Sequence, residues 1–181
     1  GSWVHTGEGG LAPYHTIGGG DIIMQIGSGI FGVRNKDGSF SWEKFKEKAE
    51  NSQLRCFEIK LAQGAKIRGG HVEGSKINEE IAAIRGVEPW KTVDSPNRHN
   101  QFHDLASLFD FIDEMRSQGG KPVGIKMVMG GSDGADDLAR FMSETGRGPD
   151  YITVDGGEGG SGATYQEMAD SMGVPIKSGL I

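Results

Sequence analysis

After residue 50, two kinds of segment alternate along the chain, and this alternation restricts the fold more than any other property of the sequence. Short apolar segments typical of β-strands are followed by longer segments whose apolar residues recur with the period of an α-helix. Predicted strands cover residues 54–61, 122–129 and 150–155, and predicted helices cover residues 78–86, 104–120, 133–146 and 165–173. Such a pattern is typical of βα units, in which helices cover a parallel sheet.

Two more segments precede the alternation. Residues 21–32 begin as a strand that breaks at Gly27, and residues 41–52 form a predicted helix. Predicted N-caps of the helices are Ser41, Asn78 and Asp104. The last segment, residues 174–181, is predicted to open another strand. Four or five strands fall short of the eight that a (β/α)₈ barrel forms in about 250 residues. We therefore expect one α/β domain over residues 1–181 and, if it is a barrel, only part of one.

Composition excludes several classes of function. The chain has 31 glycines in 181 residues, above the usual share of about 7%, and their clusters indicate tight loops near a ligand. A net charge of −6 without any basic run argues against nucleic-acid binding. Cys56 is the single cysteine, so no intrachain disulfide or cysteine-ligated metal centre is possible. No apolar run approaches about 18 residues and no signal-peptide pattern is present, so we expect a cytoplasmic protein.

Two lysines follow apolar strand residues where a barrel would place its active site. Strand alternation puts Glu58 and Lys60 on one face of their strand, and it sets Lys126 between Ile125 and Met127. Buried lysines are costly unless they meet an anion, so two of them near the carboxyl ends of strands suggest an anion site. The alternative is that both are exposed at strand ends or pair with Glu58.

Other candidate residues are ambiguous by themselves. Gln63 and Lys66 follow the Lys60 strand and face the same end of the sheet, or they belong to an ordinary solvated loop. Arg85 suits the end of a helix for dipole reasons alone. Glu8 lies between glycines as a base, an orienting group or a turn residue.

Two patterns give little support for a metal or nucleotide site. His99 and His103 have the spacing of metal ligands on a helix, but Pro96 precedes them and no acid or cysteine has a matching spacing, so we expect no metal site. The segment "VDGGEGGSGA" follows a strand, and its backbone N–H groups either line a ligand or form a flexible loop. It lacks the lysine of a P-loop.

Several motifs occur together in an order that resembles a known family. They are "HTGEGGLAPYH", "GGGDIIMQIGSGIFGVR", "EIKLAQGAK", "EIAAIRG", "DSPNRH", "KPVGIKMV" and "DYITVDGGEGGSGA". In this order the chain resembles the FMN-binding synthase domain of glutamate synthase, and in particular the stand-alone FMN-binding members. The resemblance implies a (β/α)₈ barrel with FMN at its C-terminal mouth. It also implies an oxidoreductase in which reduced FMN converts 2-oxoglutarate and ammonia to L-glutamate.

The resemblance also implies roles for individual residues. Lys60, Gln63, Lys66 and Arg85 match positions around 2-oxoglutarate, which suits a dianion that needs a cation at each end. Glu8 matches a candidate for proton transfer, and Lys66 is grouped with it as catalytic. The residues that match flavin-binding positions are Gln25, Ser28, Lys126, Asp155, Gly156, Gly157, Gly159 and Gly160, in a glycine-rich segment that extends to Gly162.

Departures from the family pattern leave other interpretations open. "QGAK" continues as "IRGGHV" and "SPP" is replaced by "SPN", which puts the substrate loop in doubt. We also expect that the start of the barrel, the FMN phosphate-binding segment, the glutaminase domain and the iron–sulfur cysteines lie outside this chain, so that an iron–sulfur cluster and an electron-donor protein or reductase belong to a longer assembly. The alternatives are a non-catalytic relative that binds a dicarboxylate or acts as a scaffold, and an FMN oxidoreductase with another substrate. An incomplete barrel exposes sheet edges, so we expect a homo-oligomer or a complementing segment.

Overall fold

In the computed structural model, which describes residues 2–66, 70–160, 164–169 and 171–181, a parallel sheet carries the fold. Seven strands are described, namely β1 (Val4–His5), β2 (Ile22–Ile26), β3 (Leu54–Lys60), β4 (His71–Val72), β5 (Val93–Asp94), β6 (Val123–Val128) and β7 (Ile152–Asp155). Five of them form one sheet in the order β1-β2-β3-β6-β7, all parallel, while β4 and β5 form a separate antiparallel pair. Because the strands of the large sheet follow one another in chain order, this part of the protein is a half-barrel, which fits the predicted α/β class.

Helices occupy the connections between the parallel strands. The described helices are α1 (Pro13–Thr16), α2 (Trp42–Ala49), α3 (Glu79–Arg85), α4 (Leu105–Gly119), α5 (Ser132–Thr145), α6 (Gln166–Ala169) and α7 (Ile176–Gly179), with a 3₁₀ turn at Gly74–Lys76. The three predicted N-caps are confirmed: side chains of Ser41, Asn78 and Asp104 accept hydrogen bonds from backbone N–H groups in the first turns of α2, α3 and α4. No helix among the described residues is long and apolar enough to span a membrane.

The predicted strand at residues 174–181 is wrong, because a short helix forms there. Pro175 precedes α7, and proline is favoured at helix starts while it removes a donor from a strand. The N–H of Ile176 then meets the Glu158 carboxylate at 3.1 Å instead of a neighbouring strand. The predicted helix at 165–173 is confirmed only as the four residues of α6.

One face of the sheet packs against the helices and forms the core. The phenyl rings of Phe45 on α2 and Phe57 on β3 have centroids 4.3 Å apart. Met24, Ile59 and Ile125 join the same buried cluster. Each fully buried side chain of this kind contributes about 1.5–3 kcal/mol, so this layer fixes the strands firmly against α2 and α4.

The opposite face of the sheet is polar. In the strand register, Gln25 lies opposite Glu58, and Lys60 lies opposite Lys126. The predicted placement of Glu58 and Lys60 away from the apolar face is therefore confirmed, because Phe57 and Ile59, which alternate with them along the strand, belong to the core. This polar face leads directly to the carboxyl ends of the strands, where the loops of the candidate site begin.

Candidate functional site

A cavity of about 360 Å³ lies at the carboxyl ends of the parallel strands. Its lining residues are Glu8, Ser28, Lys60, Leu61, Ala62, Gln63, Gly64, Lys66, Gly70, Asn97, Val128, Gly130 and Met172. Five of the predicted site residues are among them: Lys60 is the last residue of β3, and Glu8, Ser28, Gln63 and Lys66 lie in the loops after β1, β2 and β3. Two other cavities, of about 620 and 710 Å³, lie beside α1, α2 and α3 and are lined by none of the predicted site residues.

The remaining predicted residues do not line this cavity. They are Gln25, Arg85, Lys126, Asp155, Gly156, Gly157, Gly159 and Gly160. Most of them lie behind the residues that line the cavity. The predicted site is therefore brought together in part: the proposed substrate residues other than Arg85 line the cavity, and the proposed flavin residues other than Ser28 do not.

Lys60 is the centre of the cavity wall. Its Nζ lies 3.1 Å from Oε2 of Glu8 and donates a hydrogen bond of 2.5 Å to Oε1 of Gln63. The Lys60 side chain is 12% exposed, so its ammonium group depends on these two partners for its stabilisation. The interpretation that Lys60 is a solvated strand end, or that it pairs with Glu58, does not hold.

Lys126 makes the second lysine–carboxylate pair. Its Nζ lies 3.2 Å from Oδ2 of Asp155, at the end of the neighbouring strand. The same carboxylate oxygen accepts a hydrogen bond of 3.3 Å from the backbone N–H of Gly64. Asp155 therefore ties β6 and β7 to the loop that follows β3, and it fixes the position of that loop at the cavity.

Beneath the lysines, Glu58 is a buried carboxylate that sequence reasoning did not assign to the site. It accepts hydrogen bonds from Gln25 Nε2 at 2.6 Å, Thr153 Oγ1 at 2.5 Å and His5 Nε2 at 3.1 Å. Burial would raise the pKa of Glu58, but these donors outweigh burial and hold it below its ordinary value. Because an ionised carboxylate only accepts hydrogen bonds, it also fixes the amide of Gln25 with its nitrogen toward Glu58.

His99 is a further buried residue beside the site. Its Nε2 donates to the backbone carbonyl of Lys60 at 3.0 Å, and burial lowers its pKa, an effect that the bond to Lys60 partly offsets. The other histidine of the pair considered as metal ligands, His103, is 83% exposed and lies against Asp104. Among the described residues, no group of three or more potential ligands is arranged to hold a metal ion.

The glycine-rich segment after β7 packs against the protein's own backbone. The N–H of Ala65 donates to the carbonyl of Gly159 at 2.9 Å, and a side chain at Gly64 would overlap Gly156 and Gly159. Gly157 likewise abuts Gly173, and Gly160 abuts the side chain of Gln63. These glycines let two loops touch directly, and in this way they support the residues of the cavity wall. The continuation to Gly162 lies outside the described residues.

Arg85 and Ser28 are held by other parts of the chain. The guanidinium carbon of Arg85 lies 5.1 Å from the ring centroid of Phe31, and its terminal nitrogen is close to Gly9, next to Glu8. Ser28 donates a hydrogen bond of 2.5 Å to the carbonyl of Pro96. Arg85 therefore approaches the site from behind the Glu8 loop, while Ser28 fastens the 95–97 segment to the cavity.

These features define an α/β half-barrel with a cationic site at the carboxyl ends of its strands, the usual position of active sites in such folds. The comparison with known families makes the assignment specific. The family described as "Conserved region in glutamate synthase" matches residues 1–181, so the chain belongs to the glutamate synthase family.

Individual relatives agree with this membership. The chain is 54% identical over 180 residues to the glutamate synthase large subunit-like protein YerD of Bacillus subtilis, a match that covers 99% of this chain and 34% of that protein. It is 32% identical over 190 residues to the archaeal glutamate synthase (NADPH) of Methanocaldococcus jannaschii, covering 99% of this chain and 32% of the relative. It is also 31% identical over 184 residues to the glutamate synthase (NADPH) large chain of Azospirillum brasilense, covering 97% and 11%. The chain thus spans about a third of the length of the first two relatives.

Proposed function

We propose that the chain is the central part of an FMN-dependent glutamate synthase-type oxidoreductase that forms L-glutamate from 2-oxoglutarate and ammonia. The observation that carries the proposal is the convergence of Glu8, Lys60, Gln63 and Lys66 on one cavity at the carboxyl ends of the strands. Three of them, Lys60, Gln63 and Lys66, match positions that the resemblance assigns to 2-oxoglutarate, and Glu8 matches the candidate for proton transfer in the same site. Family membership supports an oxidoreductase, and the cavity supports a small anionic substrate.

Two cations in one cavity suit a dicarboxylate. Lys60 lies at the end of β3 and Lys66 lies six residues further along, so each can take one carboxylate of a five-carbon diacid. The volume of about 360 Å³ lies at the lower end of the usual range for small-molecule sites, about 300–1,000 Å³. Gln63 lies between them and, through the amide group, can bond the keto oxygen. Arg85 contributes more weakly, because it stands behind the Glu8 loop.

The residues proposed to hold the flavin, Lys126 and Gln25 behind the cavity and Ser28 in its wall, fit a flavin in their chemistry. Lys126 provides a cation at the strand ends, and Gln25 and Ser28 provide an amide and a hydroxyl. When bound, reduced FMN supplies the hydride for the reduction. In this proposal Lys126 stabilises negative charge on the cofactor, Lys60 and Lys66 orient the substrate, and the Glu8 carboxylate holds or moves a proton at its Oε2 beside Lys60.

The test is a visible absorption spectrum of the purified chain after incubation with FMN and desalting. Retained flavin absorbance in the wild type would support the proposal, and Lys126→Met should then lose most of it, while Lys36→Met, at an exposed lysine away from the cavity, should retain it. Addition of 2-oxoglutarate and ammonium to the photoreduced protein should restore the oxidised spectrum. Retained flavin without this reoxidation would contradict the substrate assignment and favour another FMN oxidoreductase.

A second candidate function is a non-catalytic dicarboxylate-binding or scaffold subunit. The observation that favours it is that Lys126 pairs with Asp155, and Gln25 with Glu58, so that neither residue lines the cavity. Binding of 2-oxoglutarate with no retained flavin would support this candidate. The electron-donor protein or reductase, the iron–sulfur cluster of a longer chain and the homo-oligomer or complementing segment remain predictions in either case.

A further inference from the structure

We infer that Glu8 is an internal competitor for ligand carboxylates, and that it sets how strongly the cavity binds a dianion. In the structure its carboxylate takes the place beside the Lys60 ammonium that a bound carboxylate would need, at 3.1 Å from Nζ. This inference rests on the proposed dicarboxylate site. It adds that Glu8 must release Lys60 each time a ligand enters.

The surroundings of Glu8 show that this position is built into the fold. A side chain at Gly27 would overlap the Glu8 carboxylate, and Gly70 approaches its other oxygen. The absence of a side chain at Gly27 therefore makes room for Glu8 to reach Lys60. Gly7 has a φ of +63°, a conformation that glycine adopts without strain, so the loop turns Glu8 back over the end of the sheet.

The charges of the cavity lining explain why a competitor matters. Among the residues that the structure describes, the charged lining residues are Glu8, Lys60 and Lys66, which give one negative and two positive charges and a formal sum of +1. When Glu8 turns toward solvent, the sum becomes +2, which equals the charge of a dicarboxylate in magnitude. Glu8 is 36% exposed, so a turn into solvent is open to it.

Other charged or titratable groups near Glu8 do not replace this role. His99 lies close enough for the charge of Glu8 to favour its protonated form, but burial has the larger effect and lowers the pKa of His99. Arg85 approaches Gly9 and is occupied by the ring of Phe31. Gln63 shares Lys60 with Glu8 as a neutral acceptor and can stay in place when a ligand enters.

The experiment is calorimetric titration of the purified chain with 2-oxoglutarate and with glutarate, the same diacid without its keto group. Glu8→Gln keeps the size of the side chain and removes its charge. We expect it to bind each diacid about five-fold more tightly than the wild type, since a partly exposed ion pair of this kind is of modest strength. The matched control is Glu47→Gln, which removes one negative charge from an exposed position on α2 and should leave both dissociation constants within about two-fold.

The outcomes distinguish the inference that Glu8 is a competitor from the proposal that 2-oxoglutarate is the substrate. Equal or weaker binding by Glu8→Gln, with a normal circular dichroism spectrum, overturns the competitor while binding of 2-oxoglutarate to the wild type still supports the proposed function. Tighter binding of glutarate without any binding of 2-oxoglutarate supports the competitor and overturns the proposed substrate. If neither diacid binds to Glu8→Gln or to Glu8→Ala, both proposals are wrong.

Discussion

Glu58 and Lys60 are two residues apart on the same face of β3, yet their surroundings differ in kind. Glu58 is 1% exposed and is surrounded by three hydrogen-bond donors, of which Gln25 and Thr153 are neutral. The third donor, His5, accepts a hydrogen bond from Gly7 at its Nδ1, so the neutral tautomer with a proton on Nε2 fits both of its contacts. Lys60 lies two residues further along the strand, at the cavity, and its ammonium group pairs with the carboxylate of Glu8 in a partly exposed loop.

This difference separates a structural layer from a binding layer. The lower layer uses fixed donors from β1, β2 and β7 that no ligand has to replace, so Glu58 joins the strands. In the upper layer the partners of Lys60 lie in loops, and a ligand carboxylate can take over the role of Glu8. In the proposed function, the same strand thus passes from stabilising the sheet to binding a ligand within two residues.

The largest effect that would sharpen this contrast is expected at Glu58. Glu58→Ala leaves the donors of Gln25 and Thr153 buried without an acceptor, which should cost about 3 kcal/mol or more of the free energy of unfolding. Urea denaturation followed by circular dichroism measures this loss. Glu88→Ala, at an exposed glutamate paired with Lys91, should change it by less than about 0.5 kcal/mol. A loss at Glu58 no larger than that control would show that the lower layer is not structural.

Substitution of Lys60 should change ligand binding more than the free energy of unfolding. Lys60→Met keeps an apolar stem of similar length and removes a cation of the cavity, so we expect the dissociation constant for 2-oxoglutarate to rise about 30-fold, or ~2 kcal/mol, with little change in unfolding. Titration calorimetry and urea denaturation of the same sample give both values. Strong destabilisation with unchanged binding would place Lys60 in the structural layer instead.

Arg85 should have a smaller effect on binding than Lys60. Because Arg85 lies beside Gly9 and does not line the cavity, we expect Arg85→Leu to weaken 2-oxoglutarate binding about five-fold, or ~1 kcal/mol. Arg55→Leu, at an exposed arginine paired with Asp21, is the matched control and should bind as the wild type does. An effect equal to that of Lys60→Met would mean that Arg85 contacts the ligand directly.

The smallest effect is the pH dependence of the lower layer. The pKa of Glu58 is lowered in the folded protein, so its stabilising contribution is complete above the ordinary glutamate value of about 4.3. As the pH falls below that value and through the folded pKa, Glu58 takes up a proton and this contribution is lost. Glu58→Gln should flatten this part of the curve when unfolding is followed from pH 6 to pH 3. An identical slope in both proteins would show that Glu58 is not the source of this pH dependence.

Sequence patterns predicted the sheet better than the site. The alternation of strands and helices and the caps at Ser41, Asn78 and Asp104 depend on local rules, and the structure confirms them. The pairing of Lys126 with Asp155 depends on neighbouring strands whose order no local rule fixes. The one signal that the sequence offered for the buried Glu58 layer was a single glutamate in an apolar strand. Its three hydrogen-bond donors come from distant segments, so no local pattern predicted them. The β4–β5 pair was missed because two-residue strands have no periodicity.

The direct contact between the loop at Gly64 and the loop at Gly156 and Gly159 has a consequence for how this protein can evolve. The two loops are separated by about ninety residues of chain, and no side chain stands between them, so there is nothing at the contact to exchange for something similar. Alanine at Gly64 would overlap the backbone of Gly156 and Gly159 and push the loops apart, whereas alanine at Gly156 would overlap Glu158 and Ile176, and alanine at Gly159 would overlap the Asp155 carboxylate. We expect a complete substitution library to find these positions intolerant in folded, ligand-binding variants, whereas the lysines and acids of the cavity should accept changes that alter binding and keep the fold.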